Sequence, residues 1–171
     1  MNSDHQTPLD GQMAGRRPFD GKVTEVRNGL YIGGAGAVTI AKDLADAGIT
    51  RILKLYWDDP QWPEPFIVAD MAMDDGVFLE RARIDEGVTF IREAISGNGS
   101  ALVVCGLGIS RSATFVLAYL IDQGMDLKSA FLLLRSARPA AWPMRNLWRS
   151  LIAAYDLSVT LEEIETWRIM S

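Results

Sequence analysis

The sequence predicts an α/β sandwich, in which helices flank a central, mainly parallel β-sheet. Extended and helical patterns alternate through the first two-thirds of the 171-residue chain. Residues 101–104 are a short, wholly apolar segment, as expected for a central strand that is covered on both faces. Several helical patterns then follow one another toward the end of the chain.

The chain opens its folded part with a predicted hairpin. Residues 22–26 and 30–32 are extended segments, and Asn28-Gly29 between them is typical of a tight turn. The glycines at 33, 34 and 36 do not have the spacing of a dinucleotide-binding motif, so they are interpreted as a loop between strand and helix.

The middle of the chain continues the alternation of helix, strand and loop. The predicted elements are a helix over residues 39–47 ended by a left-handed Gly48, a strand over 49–56, a loop with three prolines over 57–65, and an extended segment over 67–73.

The last part of the chain is predicted to be mostly helical. It contains a helix over 79–95 with apolar residues at 84, 88, 91 and 95, the strand 101–104, a buried helix over 112–123 ending at Gly124, a helix capped by Asp126 that runs through 135, a helix over 144–155, and a last short helix with a capping box at Thr160-Leu161-Glu162-Glu163.

Length and composition indicate one domain. Residues 1–20 are polar and rich in Gly and Pro and are predicted to be a flexible leader, whereas residues 21–171 form a single domain without internal repeats. The net charge of −5 argues against binding to nucleic acid or to an anionic membrane. Without a bilayer-spanning run or a signal peptide, the chain is expected to be cytoplasmic.

Cysteine and histidine are nearly absent. The chain has one Cys and one His, His5 in the predicted leader, so an intramolecular disulfide is ruled out and a structural zinc site is not expected. Any chemistry is therefore predicted to proceed without a metal or a cofactor and almost without histidine.

A glycine-containing loop between the apolar strand and the next helix carries the strongest chemical signal. It begins at Cys105, continues through Gly106, Leu107, Gly108, Ile109 and Ser110, and ends at Arg111. Backbone N–H groups of such a loop converge on one concavity at a helix N-terminus, which binds a dianionic phosphate. Arg111 can add two parallel donors, so these residues are predicted to bind a phosphoryl group.

The same positive surroundings favour the thiolate form of Cys105. A thiolate beneath a bound phosphate is placed for in-line attack on phosphorus, which gives a phosphocysteine intermediate. Ser112 can donate a hydrogen bond to the sulfur and help it leave in a second step. The alternative is that Cys105 is a small buried apolar residue closing a core strand.

The leaving oxygen of such a reaction needs a proton donor, and a carboxyl group is the candidate where no histidine is available. Asp74 and Asp75 follow the extended segment 67–73, where a loop can bring one of them over the phosphate site. Adjacent acids at a turn are by default solvated polar residues, so the assignment depends on position.

At these residues the sequence resembles the dual-specificity branch of the protein tyrosine phosphatases, over about residues 23–157. The resemblance includes the opening hairpin at 26–34, the approach to the next strand at 47–53, the signature loop and helix at 106–114 and 118–120, and, more weakly, Arg138-Pro139 with the helix after it. It implies a phosphatase-like fold and a phosphatase activity.

The resemblance also implies a role for each matched residue. Cys105 would be the nucleophile, Arg111 the phosphate clamp and Ser112 the hydroxyl partner of the sulfur. The family's acid is an aspartate about thirty residues before the cysteine, and Asp75 lies 105 − 75 = 30 residues before it. Counting back from Phe90 favours Asp74 instead, but Asp75 is preferred because the extended segment before it aligns better.

Two positions depart from the family pattern. Val104 stands where the family usually has a histidine directly before the nucleophile, which implies weaker organisation of the loop and lower activity. The family's Pro-Asn pair appears as Pro143-Met144-Arg145-Asn146, so the contacts that support the loop there are left open.

The loop interior contains no lysine of the kind that meets the extra phosphates of inositol phospholipids, which favours a phosphorylated protein or peptide as substrate. Preference among phosphotyrosine, phosphoserine and phosphothreonine is left open. Trp57, Trp62 and Trp142 lie in loops and are equally compatible with the pocket entrance and with rim packing.

Two other functions compete with this prediction. A pseudophosphatase would recognise phosphoproteins with little or no turnover. Val104, in place of the family's histidine, leaves this alternative open. A low-molecular-weight tyrosine phosphatase uses similar loop chemistry, but it places that loop at the extreme N-terminus, whereas about a hundred residues come first in this chain.

Overall fold

A computed structural model describes Phe19 and residues 21–170 of the chain. The predicted leader, residues 1–20, lies outside the described residues except for Phe19, whose ring meets that of Tyr31 edge-on. The strands are β1 Val23–Arg27, β2 Leu30–Gly34, β3 Ile49–Lys54, β4 Ile67–Asp70 and β5 Ser100–Cys105. The helices are α1 Ala41–Asp46, α2 Arg81–Ser96, α3 Arg111–Asp122, α4 Leu127–Ala137, α5 Arg145–Ala154 and α6 Leu161–Thr166.

The strands form one sheet in the order β1-β2-β5-β3-β4. β1 and β2 pair antiparallel through the turn at Gly29, which has a φ of +83°. β2, β3 and β4 continue the sheet in parallel on the two sides of β5. The predicted α/β fold with a mainly parallel sheet flanked by helices is therefore confirmed.

The sheet is covered on both faces, so β5 is buried throughout residues 101–105. The larger apolar cluster lies on one face and includes residues of α2 to α6, whereas the smaller cluster lies on the other face with α1. Phe131 joins the larger cluster through edge-on or tilted contacts with Trp142, Trp148 and Trp167. This burial makes β5 a rigid support for whatever follows it.

Most helix signals in the sequence are matched by cap geometry. Gly48 has a φ of +92°, Asp126 accepts a hydrogen bond from the Ser129 N–H, and Thr160 and Glu163 form the predicted capping box. The predicted helix over 39–47 is split, because Ala35–Ile40 is a 3₁₀ turn and α1 follows it. In the described part of the chain, none of the helices is both long and apolar enough to cross a bilayer.

Several predicted boundaries differ from those of the structure; the strand predicted over 49–56, for example, ends at Lys54. α2 begins at Arg81 and not at residue 79, because the Leu79 N–H donates to the Ser150 hydroxyl at 2.8 Å and holds the chain extended there. The extended segment 67–73 is a regular strand only as far as Asp70. Beyond it, the N–H groups of Met71 and Met73 still bond to carbonyl groups at and after the end of β3, which guides the chain toward the loop after β5.

Candidate active site

The loop of residues 106–110 connects the end of the central strand to the start of α3. β5 ends at Cys105 and α3 begins at Arg111, one residue earlier than the predicted helix. The carboxyl ends of the parallel strands β2, β3 and β4 meet at the same edge of the sheet, where ligands bind in open α/β folds. The fold therefore places the chemically distinctive segment where a site is expected.

Every carbonyl group of this loop accepts a hydrogen bond from outside it. The bonds join Gly106 O to Ala35 N at 3.0 Å, Leu107 O to Arg138 Nη2 at 3.1 Å, Gly108 O to Arg138 Nε at 2.7 Å, Ile109 O to Trp142 N at 2.8 Å, and Ser110 O to Thr114 N at 3.0 Å. A trans peptide unit holds its C=O and N–H on opposite sides. The N–H groups of residues 107–111 consequently point to the inner side of the loop, which suits an anion.

Arg138, which directly follows α4, holds two of these carbonyl groups by itself. Its guanidinium also reaches Gly21 O at 3.3 Å and Thr24 Oγ1 at 3.4 Å, so it ties the loop to the first strand. Burial lowers the pKa of Arg138 from its usual value, and the charge interaction with Cys105 acts in the opposite direction. The residue thus adds positive charge behind the loop as well as hydrogen bonds.

The structure brings Cys105 and Ser112 together. The Cys105 sulfur lies 3.1 Å from the Ser112 hydroxyl oxygen, within the first turn of α3. Both residues are buried, and Cys105 is 2% exposed. The hydroxyl is therefore in place to donate a hydrogen bond to a thiolate.

Arg111 lines the cavity and its guanidinium reaches two neighbouring segments of the chain. Its Nη1 donates to Leu55 O at 3.3 Å and to Met73 O at 3.0 Å. Leu55 lies in the segment that follows β3, and Met73 in the segment that follows β4. Its Nε is buried and has no partner among the described residues. A Cβ on Gly106 would lie 3.2 Å from Arg111 Nη2, so glycine leaves the guanidinium room. The unpaired donor fits a phosphate oxygen.

The structure separates the two candidate acids. Asp75 accepts a hydrogen bond of 2.7 Å from the Ser110 hydroxyl and lines the cavity above Cys105. Asp74 accepts one of 2.9 Å from the indole N–H of Trp57 and is not among the lining residues. Of the pair that the sequence left open, Asp75 is the one directed to the loop.

Ser110 links the loop to two other segments. In addition to its bond to Asp75, its hydroxyl accepts from the Met144 N–H at 2.9 Å. Asn146 donates from its side chain to Gly76 O at 3.1 Å. The segment that departs from the family's Pro-Asn pattern therefore still contacts both the loop and the residues after Asp75.

The cavity itself has a volume of about 190 Å³. Its lining residues are Asp75, Cys105, Leu107, Ile109, Ser110, Arg111, Trp142 and Met144. Trp142 is the one of the three loop tryptophans that lines it, whereas Trp62 packs against Phe66 with 5.6 Å between ring centroids. In residues 21–170, no group of three or more Cys, His, Asp or Glu side chains could hold a metal ion.

Val104 packs into the core on the face of the sheet opposite to Cys105. It is fully buried within the smaller apolar cluster, whereas Cys105 belongs to the larger one. Its backbone still contributes, because Val104 O accepts from Leu55 N at 2.9 Å next to the carbonyl that holds Arg111. The side chain offers no hydrogen bond to the loop.

Sequence reasoning missed the roles of Arg138 and Ser110. Arg138 was noted only as part of a weak resemblance, and Ser110 only as a loop member. The partners of Arg138 are backbone carbonyl groups of the loop. The partners of Ser110 are the Asp75 carboxylate, 35 residues away, and the Met144 N–H, 34 residues away. An arginine that directly precedes Pro139 at a helix end was the one signal available.

Comparisons with known proteins agree on one family. The family profile "Dual specificity phosphatase, catalytic domain" matches residues 30–156. Dual specificity phosphatase 28 of Homo sapiens is 32% identical over 146 residues, which cover 81% of this chain and 82% of the relative. Dual specificity protein phosphatase 1B of Arabidopsis thaliana is 33% identical over 124 residues, or 71% of this chain and 74% of the relative.

Solved structures show the same fold. A mouse putative dual specificity phosphatase complexed with zinc tungstate has a TM-score of 0.74 and 29% identity, covering 87% of this chain and 93% of its own. The human tyrosine phosphatase-like serine/threonine/tyrosine-interacting protein has a TM-score of 0.71 and 25% identity, covering 77% and 93%.

Proposed function

Because the chain belongs to the dual specificity phosphatase family, we propose that it is an active protein phosphatase. It hydrolyses phosphotyrosine, phosphoserine or phosphothreonine in a phosphorylated protein or peptide and forms a phosphocysteine intermediate. The observation that carries this proposal is that Cys105, Arg111 and Asp75 line one cavity over a loop whose carbonyl groups all face outward.

In the first step, the Cys105 thiolate attacks phosphorus and the bond from phosphorus to the substrate oxygen breaks. Asp75 gives its proton to that oxygen, which leaves as a hydroxyl group. The loop N–H groups and Arg111, with its unpaired Nε, hold the three other phosphoryl oxygens. The product of this step is phosphocysteine and the dephosphorylated substrate.

In the second step, a water molecule attacks phosphorus and the phosphorus–sulfur bond breaks. Asp75, now a carboxylate, accepts the proton of the water, so inorganic phosphate leaves and the starting state returns. The Ser112 hydroxyl, 3.1 Å from the sulfur, stabilises the departing thiolate. No metal or cofactor takes part in either step.

The alternative is a pseudophosphatase that binds phosphoproteins without turning them over. Val104, which offers the loop no side-chain hydrogen bond, supports this alternative. So does the likeness to the human tyrosine phosphatase-like interacting protein. Both functions use the same phosphate-binding loop and differ in whether the thiol reacts.

Hydrolysis of p-nitrophenyl phosphate by the wild type and by Cys105→Ser separates the two functions. The proposal predicts turnover by the wild type and only background with Cys105→Ser, because the serine hydroxyl is a much weaker nucleophile here. Equal, background-level rates would support the pseudophosphatase. In that case, phosphopeptide binding should remain and be weakened by Arg111→Lys, which removes the planar, bidentate donors.

A further inference from the structure

Exposed apolar side chains are concentrated around the cavity. Ten large apolar side chains are exposed in the described part of the chain. Five of them lie in the loop, on residues 74–79, or in contact with these segments: Trp57, Val77, Phe78, Leu107 and Met144. We call these five residues the apolar rim. Leu107 and Met144 line the cavity, and the other three lie on segments that adjoin it, so these side chains are candidates for contacts with a bound substrate.

Contacts with α5 fix the rim beside the cavity. A Cβ on Gly76 would lie 3.2 Å from the Met144 side chain, which itself lines the cavity. The Leu79 N–H donates to the hydroxyl of Ser150, in the middle of α5, so residues 76–79 follow α5 from its N-cap Met144 to this residue. Phe78 follows the cavity-lining residue Asp75 by three positions, and three residues span at most about 11 Å. Phe78 therefore lies within reach of the residues that flank the phosphorylated side chain of a bound substrate.

The walls of the cavity favour an aromatic phosphoester. The apolar residues that line the cavity are Leu107 and Ile109 of the loop itself, together with Trp142 and Met144. The Ser110 hydroxyl is already engaged by Asp75 and by the Met144 N–H. A phosphotyrosine ring would fill this space. The side chain of phosphoserine is short, so its binding would bring the substrate's own backbone N–H and C=O groups between the apolar walls. There these groups would lose their hydrogen bonds to water without gaining others.

The charges next to the rim disfavour acidic substrates. Asp74 precedes Val77 and Phe78, and Glu80 follows them. Acidic residues beside the phosphotyrosine would therefore meet like charges. Arg145 and Arg149 are nearby cations that are exposed on α5, and Arg145, which is next to Met144, is the one changed in the test.

Resting on the proposed phosphatase function, we propose that the preferred substrate is a phosphotyrosine flanked by apolar residues. The apolar rim binds the flanking side chains, and the cavity walls bind the ring. The site thus selects both the phosphorylated residue and its neighbours.

The test compares kcat/KM of the full chain on matched phosphopeptides. The panel holds phosphotyrosine, phosphoserine or phosphothreonine in an apolar context, and phosphotyrosine in an acidic context. We expect the apolar phosphotyrosine peptide to exceed each of the others by about tenfold or more, the factor that 1.4 kcal/mol of differential binding gives. Phe78→Ser should reduce the kcat/KM for the apolar phosphotyrosine peptide relative to the kcat/KM for p-nitrophenyl phosphate. The control is Ile169→Ser, which changes an 88% exposed residue on the turn after α6 and should leave this ratio unchanged.

Failure of this inference differs from failure of the proposed function. Absence of Cys105-dependent hydrolysis of p-nitrophenyl phosphate would overturn both. Hydrolysis of p-nitrophenyl phosphate with equal rates on the peptides would overturn the inference alone. A preference for the acidic peptide that Arg145→Gln abolishes would also overturn it, since the cation would then be the selecting group.

Discussion

The Ser110 hydroxyl donates a hydrogen bond of 2.7 Å to the Asp75 carboxylate, although the two residues are 35 positions apart. Ser110 belongs to the phosphate-binding loop, and Asp75 belongs to the segment that follows β4. The same hydroxyl accepts from the Met144 N–H at 2.9 Å. One side chain therefore sets the distance between the nucleophile's loop and the proposed acid.

Replacement of that hydroxyl tests its positioning role. Ser110→Ala should lower kcat for a phosphotyrosine peptide about tenfold, which corresponds to about 1.4 kcal/mol of activation free energy, because Asp75 loses the bond that holds it over the cavity. Ser96→Ala, an exposed serine at the end of α2, is the matched control. An increase in kcat would show instead that the bond restrains the acid.

The two aspartates should differ sharply in their effect on rate. On a phosphotyrosine peptide, whose leaving group needs a proton, Asp75→Asn should reduce kcat by roughly 10²- to 10⁴-fold and remove the basic limb of the pH–rate profile, as expected when a general acid is lost. Asp74→Asn should change kcat less than about twofold, because Asp74 accepts from Trp57 and does not line the cavity. If Asp74→Asn flattens the profile, the assignment of the acid is wrong.

Arg138 should act on phosphate binding through the loop. Arg138→Lys leaves one ammonium group where the guanidinium served Leu107 O and Gly108 O, and the loop loses its fixed shape. We expect inhibition by orthovanadate to weaken about tenfold, and the free energy of unfolding to fall by about 1–2 kcal/mol. Arg83→Lys, on the exposed side of α2, is the control; equal behaviour of the two variants would contradict this role.

Two glycines offer a matched test of the loop's backbone. Gly108 has a φ of +69°, and a Cβ there would lie 2.6 Å from the Gly33 carbonyl carbon and 2.7 Å from Arg138 Nη2. Gly108→Ala should therefore lower the free energy of unfolding by about 2–4 kcal/mol and abolish turnover. Gly36→Ala, where a Cβ meets nothing within 4 Å, should change neither quantity measurably in denaturant unfolding and p-nitrophenyl phosphate assays.

The sequence was sufficient for those parts of the site that lie within one segment. Cys105, Arg111 and Ser112 follow from a strand, a glycine loop and a helix in direct succession, and the structure places them together. The same is true of the sheet, since the apolar residues of β5 mark a central strand. Local patterns carry this information because the elements are continuous in the chain.

The remaining parts depend on tertiary contacts that leave no pattern. Asp74 and Asp75 are chemically equal neighbours in sequence, and only their partners, Trp57 and Ser110, separate them. Arg138 binds backbone carbonyl groups, which every residue type carries, so its partners have no sequence signature. Leu79 likewise departs from its predicted helix because Ser150 binds its N–H.

The central claim is that Cys105 becomes phosphorylated during turnover. Asp75→Asn can transfer the phosphoryl group from p-nitrophenyl phosphate, whose leaving group needs little protonation, but it lacks the base for the second step. After rapid acid quenching of this variant, mass spectrometry of the peptide that contains Cys105 should show one added phosphoryl group on the sulfur. The same peptide from Cys105→Ser should carry none. Steady release of p-nitrophenol with an unmodified Cys105 at every quench time would contradict the account.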